Sequence, residues 1–231
     1  MNILCTICVR GGSKGVKNKN IKNLNGKPLI AWTILQAKES NLFDKIVVST
    51  DSEEIMKVAK KYGAEVFFKR EAKLASDTAG KLDVIKDAFL RSEEYYNKKF
   101  DYLIDLDATA PLRSVEDIKN AFNQFIKNNN DNLITATPSR KSPYFNMIEI
   151  VDNKIQLVKQ AKFLRRQDTP KTYDMNASIY IWKREVLLNN NSIFLENTGL
   201  YVMDEMTAFD IDTEIDFKIV ECLMKDKDVK R

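Results

Sequence analysis

A chain of 231 residues, 44% hydrophobic and 30% charged, has the length and apolar content for one large domain or one domain with an appended piece. Its 37 basic residues nearly balance 33 acidic ones for a net charge of +4, too little for a nucleic-acid stripe, and no apolar run reaches the roughly 18 residues of a membrane span. Histidine is absent, which excludes a Ser-His-Asp triad, a His-based zinc site and an imidazole base together. Neither nucleic acid nor membrane is therefore expected as a partner, and any chemistry must use Lys, Arg, carboxylates or a hard metal.

In chain order, the first element is ILCTICV, a β-branched run that predicts a buried strand. The opening nine residues carry neither a basic leader nor a small-residue cleavage site, so an unexported, cytoplasmic protein is expected. Cys5 and Cys8 lie in this run and Cys222 in a late helical one. Without CxxC or metal-ligand spacing they read as buried thiols in a reducing compartment. Further strands are predicted at KIVVST, EVFF, FDYLIDL, NLITAT, SIYIW and LYVM. Between them, Ile55, Val58, Ala59 and Tyr62 share one helix face, as do Leu82, Ile85, Ala88 and Phe89, and again Ile118, Ala121, Phe122, Phe125 and Ile126. The alternation predicts an α/β domain with a largely parallel sheet flanked by helices. It falters between Pro138 and Tyr173, where a hairpin-like IEIVDNKIQLV precedes a basic, irregular stretch. We therefore divide the chain into a main domain, 1–137 with 174–231, and an inserted arm, 138–173. A loop of that length covers a site or makes an oligomer contact.

In an open α/β sheet the ligand sits beyond the carboxyl ends of the strands, where the first strand empties into RGGSKGVKNKN. Two phosphate motifs fail there: Gly11 and Gly12 have Val16 and Lys17 five residues on, which breaks the Walker pattern, and no GxGxxG register exists. What remains is a tight turn exposing backbone N–H groups beside Arg10, Lys14 and Lys19. It suits a triphosphate, or else is a solvated surface turn. The second constellation is FDIDTEIDF. Asp210 and Asp212, two apart on an extended segment, point the same way, and paired hard oxygens suit Mg²⁺ when phosphates supply the other ligands. Alternatively, Asp212 with Thr213 caps the helix TEIDFKIVECLM.

The blocks RGGSKGVKNKNIKNLNGKPLIAWTI, VVSTDSEEI, LASDTA, LDATAPLR, RRQDTPKTYDMNASIYI and FDIDTEIDF fall in the order of the CMP-nonulosonate synthetases, the acylneuraminate cytidylyltransferase family, which the chain resembles from Ile3 to about Leu223. The resemblance implies a Rossmann-like sheet with an inserted dimerisation arm, and a homodimer that uses CTP and Mg²⁺ to make a CMP-sugar and pyrophosphate. On that pattern Arg10, Ser13, Lys14 and Lys19 would hold the triphosphate and Asn20 the ribose. Asp51 and Arg70 would lie beside the nucleotide and Ala79 near the cytosine. Arg166 and Gln167 would face the nonulosonic acid, and Asp210 and Asp212 would take the metal.

Three departures bear on the sugar. Sialic-acid members usually read LQPTSPLR, and LDATAPLR puts Asp107 where they have a neutral amide. The family's arm lysine after a proline is replaced by Tyr144-Phe145. The NGAIYI block reads NASIYI, which keeps Asn176. If Tyr144 and Phe145 line the far end of the sugar, they favour a methyl group over a hydroxylated side chain, and Asp107 could accept a second acylamino N–H. Both point to legionaminic or pseudaminic acid, and weakly to the former. Two other readings use the same residues. Activation of the eight-carbon sugar acid of lipopolysaccharide normally lacks RRQDxPxxY, and a non-catalytic nucleotide-binding module would be expected to have lost Lys14, Asp210 or Asp212.

Overall fold

The opening apolar run forms β1 (Ile3–Cys8), in which Ile3 to Ile7 are all buried, as a strand covered on both faces requires. The computed structural model describes residues 1–229, with side chains to Lys225; Lys230 and Arg231, the last two positions of the 174–231 segment, lie outside the described residues. A short hairpin follows, β2 (Asn23–Leu24) and β3 (Lys27–Pro28), leading into α1 (Leu29–Ser40). Next come β4 (Lys45–Ser49), α2 (Glu53–Lys61), α3 (Lys81–Tyr96), β5 (Tyr102–Leu106), α4 (Val115–Lys127) and β6 (Asn132–Pro138). The arm carries β7 (Ile148–Val151) and β8 (Lys154–Leu157). The chain re-enters through β9 (Tyr173–Lys183) and closes with α5 (Arg184–Asn189), β10 (Thr198–Val202) and α6 (Glu214–Val229).

The central sheet has the order β10-β6-β9-β5-β1-β4. Every neighbouring pair is parallel except the two that β9 makes, antiparallel to both β5 and β6. The expected largely parallel sheet flanked by helices is therefore what the chain builds. The helices obey their sequence signals. Ser114 and Asp117 close a reciprocal capping box at the start of α4, satisfying N–H groups that the first turn leaves unpaired, and Ile118, Ala121, Phe122 and Phe125 are buried below it. Ile126, expected on that inward face, is 41% exposed, since Phe122 and Phe125 already fill the contact.

One predicted strand is missing. EVFF makes a single parallel bridge, Val47 to Glu65, and then leaves the sheet. Phe67 stacks on Tyr95 at 4.0 Å and meets Tyr96 edge-on at 5.6 Å, so aromatic packing against α3 draws the chain off the sheet edge. In the arm, β7 and β8 pair antiparallel around Asp152 and Asn153, both at positive φ (50° and 61°), the conformation a two-residue hairpin turn needs. No helix among the described residues is long and apolar enough to cross a membrane.

Candidate functional site

At the carboxyl end of β1 the chain turns along a cleft of about 510 Å³, lined by Arg10, Ser13, Lys14, Lys19, Asn20, Arg70, Ala79, Asp107 and Asp212, among others. Residues from four of the six sequence blocks, with Arg70 from between two of them, thus meet in one place. Val9 N–H still donates to the Ser49 carbonyl (3.1 Å), continuing the sheet pattern, and Gly11 N–H donates to Asp51 Oδ1 (2.9 Å). Asp51 does not line the cleft. Expected beside the nucleotide, it fixes the loop backbone instead.

Asn20 is buried and its amide donates to the Arg10 carbonyl (3.0 Å), while its Oδ1 is buried without a partner. A buried acceptor with no donor is costly, and this one borders the cleft. Arg70, also buried, donates from Nε to Ser49 Oγ (3.0 Å) and from a second nitrogen to the Ser49 carbonyl, which pins its guanidinium into the cleft floor. Ala79 sits in the turn before α3.

The acidic segment lies directly against the basic loop. Ile211 is buried and its N–H donates to the Thr109 carbonyl (2.9 Å); Asp210 and Asp212 flank it, so the alternation expected of an extended segment holds. Lys19 Nζ reaches Asp212 Oδ1 at 3.2 Å and also bonds the Ile211 carbonyl. Burial, and then the nearby Asp212 charge, push the Asp210 carboxyl above its ordinary range. Asp212 is not the helix cap. Thr213 and Asp216 form that box: Asp216 accepts from the N–H and hydroxyl of Thr213 (2.7 and 2.8 Å), and Thr213 Oγ1 accepts from Asp216 N–H (3.2 Å). The 74% exposed Asp212 side chain stays available. Among the described residues no group of three or more acidic, Cys or His side chains could cage an ion. Two crowded carboxylates suit a cation that takes its remaining ligands from a phosphate chain.

Three features of the site escaped the sequence. The first is Gly15: a Cβ there would lie 1.9 Å from the Asp212 carbonyl oxygen, so the basic loop and the acidic loop touch backbone to backbone. The second is Lys81, which spans Asp107 (2.8 Å) and the buried Asp105 (3.7 Å) and lies 4.3 Å over the Tyr180 ring. The third is Asp77, paired with both Arg10 and Lys14. Asp77 stands within LASDTA, but nothing in that block names the basic loop as its partner.

Several expected sugar contacts fall elsewhere. Asp107 lines the cleft, but its oxygens already accept from Lys81 and from the N–H and hydroxyl of Thr109 (3.0 and 2.9 Å). Burial alone would raise its carboxyl; Lys81 and Thr109 outweigh that and hold it at about 2. Asn176 is buried and fully used within the fold, accepting from Thr135 Oγ1 (2.8 Å) and donating to the Thr207 hydroxyl (3.2 Å). Asn176 lines neither this cleft nor the second hollow described below. Ala177, standing at the position of the family's glycine, has φ +49°, a left-handed conformation that costs a residue with a Cβ about 1–2 kcal/mol.

Arg166 and Gln167 lie away from the cleft, in a second hollow of about 590 Å³ lined also by Ser139, Ser142, Lys171 and Tyr173. Arg166 donates to the Ser139 carbonyl (2.8 Å). Tyr144 and Phe145 line neither hollow. Tyr144 meets Phe163 edge-on at 6.1 Å under Lys159, and Phe145 is 38% exposed. Within one chain, then, Arg10, Ser13, Lys14, Lys19, Asn20, Arg70, Ala79, Asp107 and Asp212 share the cleft, while Asp51, Asp210 and the arm residues are not part of its lining.

Comparison with known proteins bears on this arrangement. The family model described as "Cytidylyltransferase" matches residues 4–230. The chain is 64% identical to "Post-translational flagellin modification protein B" of Campylobacter coli, over 99% of this chain and 97% of that protein. It is 62% identical to "CMP-N,N'-diacetyllegionaminic acid synthase" of Campylobacter jejuni, over 98% of this chain and 97% of that protein. Its fold resembles the solved structure of CMP:2-keto-3-deoxy-manno-octonic acid synthetase complexed with CTP, with a TM-score of 0.70 and 17% identity, over 98% of this chain and all of that one. A match that runs from β1 to the last helix, with relatives aligned end to end, leaves one conclusion: the chain belongs to the cytidylyltransferase family of nucleotide-transferring enzymes.

Proposed function

We propose that the chain activates N,N'-diacetyllegionaminic acid with CTP, releasing the CMP-sugar and pyrophosphate. The observation that carries the choice of sugar is the high identity, across nearly the whole chain, to a legionaminic acid synthase. The geometry supports a role for each side of the cleft. Arg10, Ser13 and Lys14 would bind the triphosphate, with Arg70 at the floor and Ala79 toward the cytosine, and the unpartnered Asn20 Oδ1 would accept a ribose hydroxyl. Asp210 and Asp212 would hold Mg²⁺, which would screen the phosphate charge when bound. The anomeric hydroxyl attacks the α-phosphorus in line; the new O–P bond forms as the bond to pyrophosphate breaks. The hydroxyl proton would pass to an oxygen of Asp210 or Asp212 that the ion leaves free. Arg10 and Lys14 offset the charge gathering on the leaving group, and positioning supplies most of the rest, which is why the reaction runs without histidine. CTP as substrate fits a cytoplasmic enzyme. Specificity constants for N,N'-diacetyllegionaminic, pseudaminic and N-acetylneuraminic acids, read by pyrophosphate release with CTP and Mg²⁺, test the proposal. The first should be highest, and a preference for N-acetylneuraminic acid would overturn the sugar assignment.

We further propose that the arm makes a homodimer, which would bring the Arg166–Gln167 hollow of one chain toward the cleft of the other. Ile148, Ile150 and Ile155 of the hairpin are 62%, 72% and 72% exposed, and Leu164 is 94% exposed. An apolar surface of that kind calls for a partner. Sedimentation equilibrium should give twice the 26.6 kDa chain mass. Deleting residues 144–160 should give a single-chain mass with CTP binding intact, and a variant that still sediments as a dimer would remove the idea.

A further inference from the structure

One carboxylate opposite the basic loop pairs with two of that loop's cations. Asp77 Oδ1 lies 2.8 Å from Arg10 Nη1, and Oδ2 lies 2.5 Å from Lys14 Nζ. The two oxygens thus bridge two positive groups across the mouth of the cleft, as two oxygens of a phosphate group would. Asp77 comes from the turn between a short helical segment at Ala72–Leu74 and α3, not from the loop it binds. Its side chain is half exposed, so nothing in the core requires the pairing. The hydrogen bonds from Lys14 and then Arg10 hold its carboxyl below the ordinary range.

We propose that Asp77 is an internal competitor for the triphosphate subsite: it keeps Arg10 and Lys14 in place in the empty cleft, yields them to CTP, and re-pairs with them as pyrophosphate leaves. This rests on the triphosphate reading of the Arg10–Lys14 loop. The exchange follows from charge. A triphosphate or pyrophosphate offers the two cations more negative charge than one carboxylate, so it wins when present. Each of its cation contacts must nevertheless replace an existing ion pair, and this weakens net affinity without loosening the loop. Exposed ion pairs are modest individually, so the effect is a tuning of affinity. Its use is in product release, because the fragment left after transfer is smaller and less anchored than CTP.

Calorimetric titration with inorganic pyrophosphate tests this on the unaltered chain and three variants. Asp77→Asn removes the charge and should bind pyrophosphate about three- to tenfold more tightly, with a matching fall in its inhibition constant against CTP. Asp77→Glu keeps the charge and should stay within about twofold of the unaltered chain. Equal or weaker binding by Asp77→Asn would overturn the proposal, as would an Asp77→Glu variant as tight as the Asn one. Arg10→Ala separates the two levels of the argument. If it leaves pyrophosphate affinity unchanged, the triphosphate reading itself fails; if it weakens binding while Asp77→Asn is no tighter, the competitor role alone falls.

Discussion

Replacing Gly15 with alanine should lower kcat/KM by about two orders of magnitude, the scale set by moving reacting groups about 1 Å from register. The reason is contact. A methyl group at that position would stand 1.9 Å from the Asp212 carbonyl oxygen, well inside the separation any carbon and oxygen tolerate, and the atom it meets is backbone. The basic loop and the acidic loop must then move apart, and with them Lys19 loses its hold on Asp212 and the Ile211 carbonyl. Val16, beside Gly15, and Ile211 of the acidic loop are buried in one apolar cluster, so the variant should also melt lower, and turnover is compared at a temperature where both variants are folded. Gly12→Ala is the control, since a Cβ there meets nothing within 4 Å. Steady-state kinetics and thermal melts on the two variants decide the matter, and near-normal turnover in Gly15→Ala would show that the loops tolerate separation.

The acidic segment gives the second large effect. Asp212→Asn should reduce kcat by about 10²–10³-fold, the loss expected when a preorganised charge partner of the transition state is removed, and added Mg²⁺ at ordinary concentrations should not restore it. Asp216→Ala should behave differently, lowering stability by about 1 kcal/mol as an N-terminal capping loss while turnover stays within a few-fold. The two residues are neighbours in sequence but separate in role. Asp212 presents its carboxylate to the cleft, whereas Asp216 spends its oxygen on the N–H and hydroxyl of Thr213. Magnesium titration by calorimetry alongside kinetics separates them, and equal losses of activity in both would refute the division.

Much of the fold was legible because buried strands advertise themselves. ILCTICV, KIVVST, FDYLIDL and NLITAT each end within a residue or two of where the backbone leaves the sheet. EVFF misled for a physical reason: its composition is that of a strand, but Phe67 gains more from Tyr95 and Tyr96 than from an edge position. The site divides similarly. That Arg10, Lys14 and Asp212 would share one cleft was expected from residue type and local spacing, and they do. Gly15, Asp77 and Lys81 could not be foreseen in that way, since each matters through a contact with a distant block, and no local pattern encodes the partner. Asn176 shows the converse. A polar residue in a matching block looks like a ligand contact, yet its amide bonds Thr135 and Thr207 within the fold.

Pro138 and Tyr173 are paired partners across β6 and β9, so the chain departs into the arm and returns at facing positions of one ladder. The intervening segment is thereby a cassette. Its ends are held at hairpin distance by the sheet itself, and loop-closure entropy grows only slowly with length, so insertions, deletions or wholesale exchange between 139 and 172 load the nucleotide-binding half very little. Variation in that segment can proceed on its own evolutionary clock while the cleft, built from β1, β4, β5 and the acidic loop, is held constant. Some thirty residues could in this way be rewritten without disturbing the ladder that joins β6 to β9.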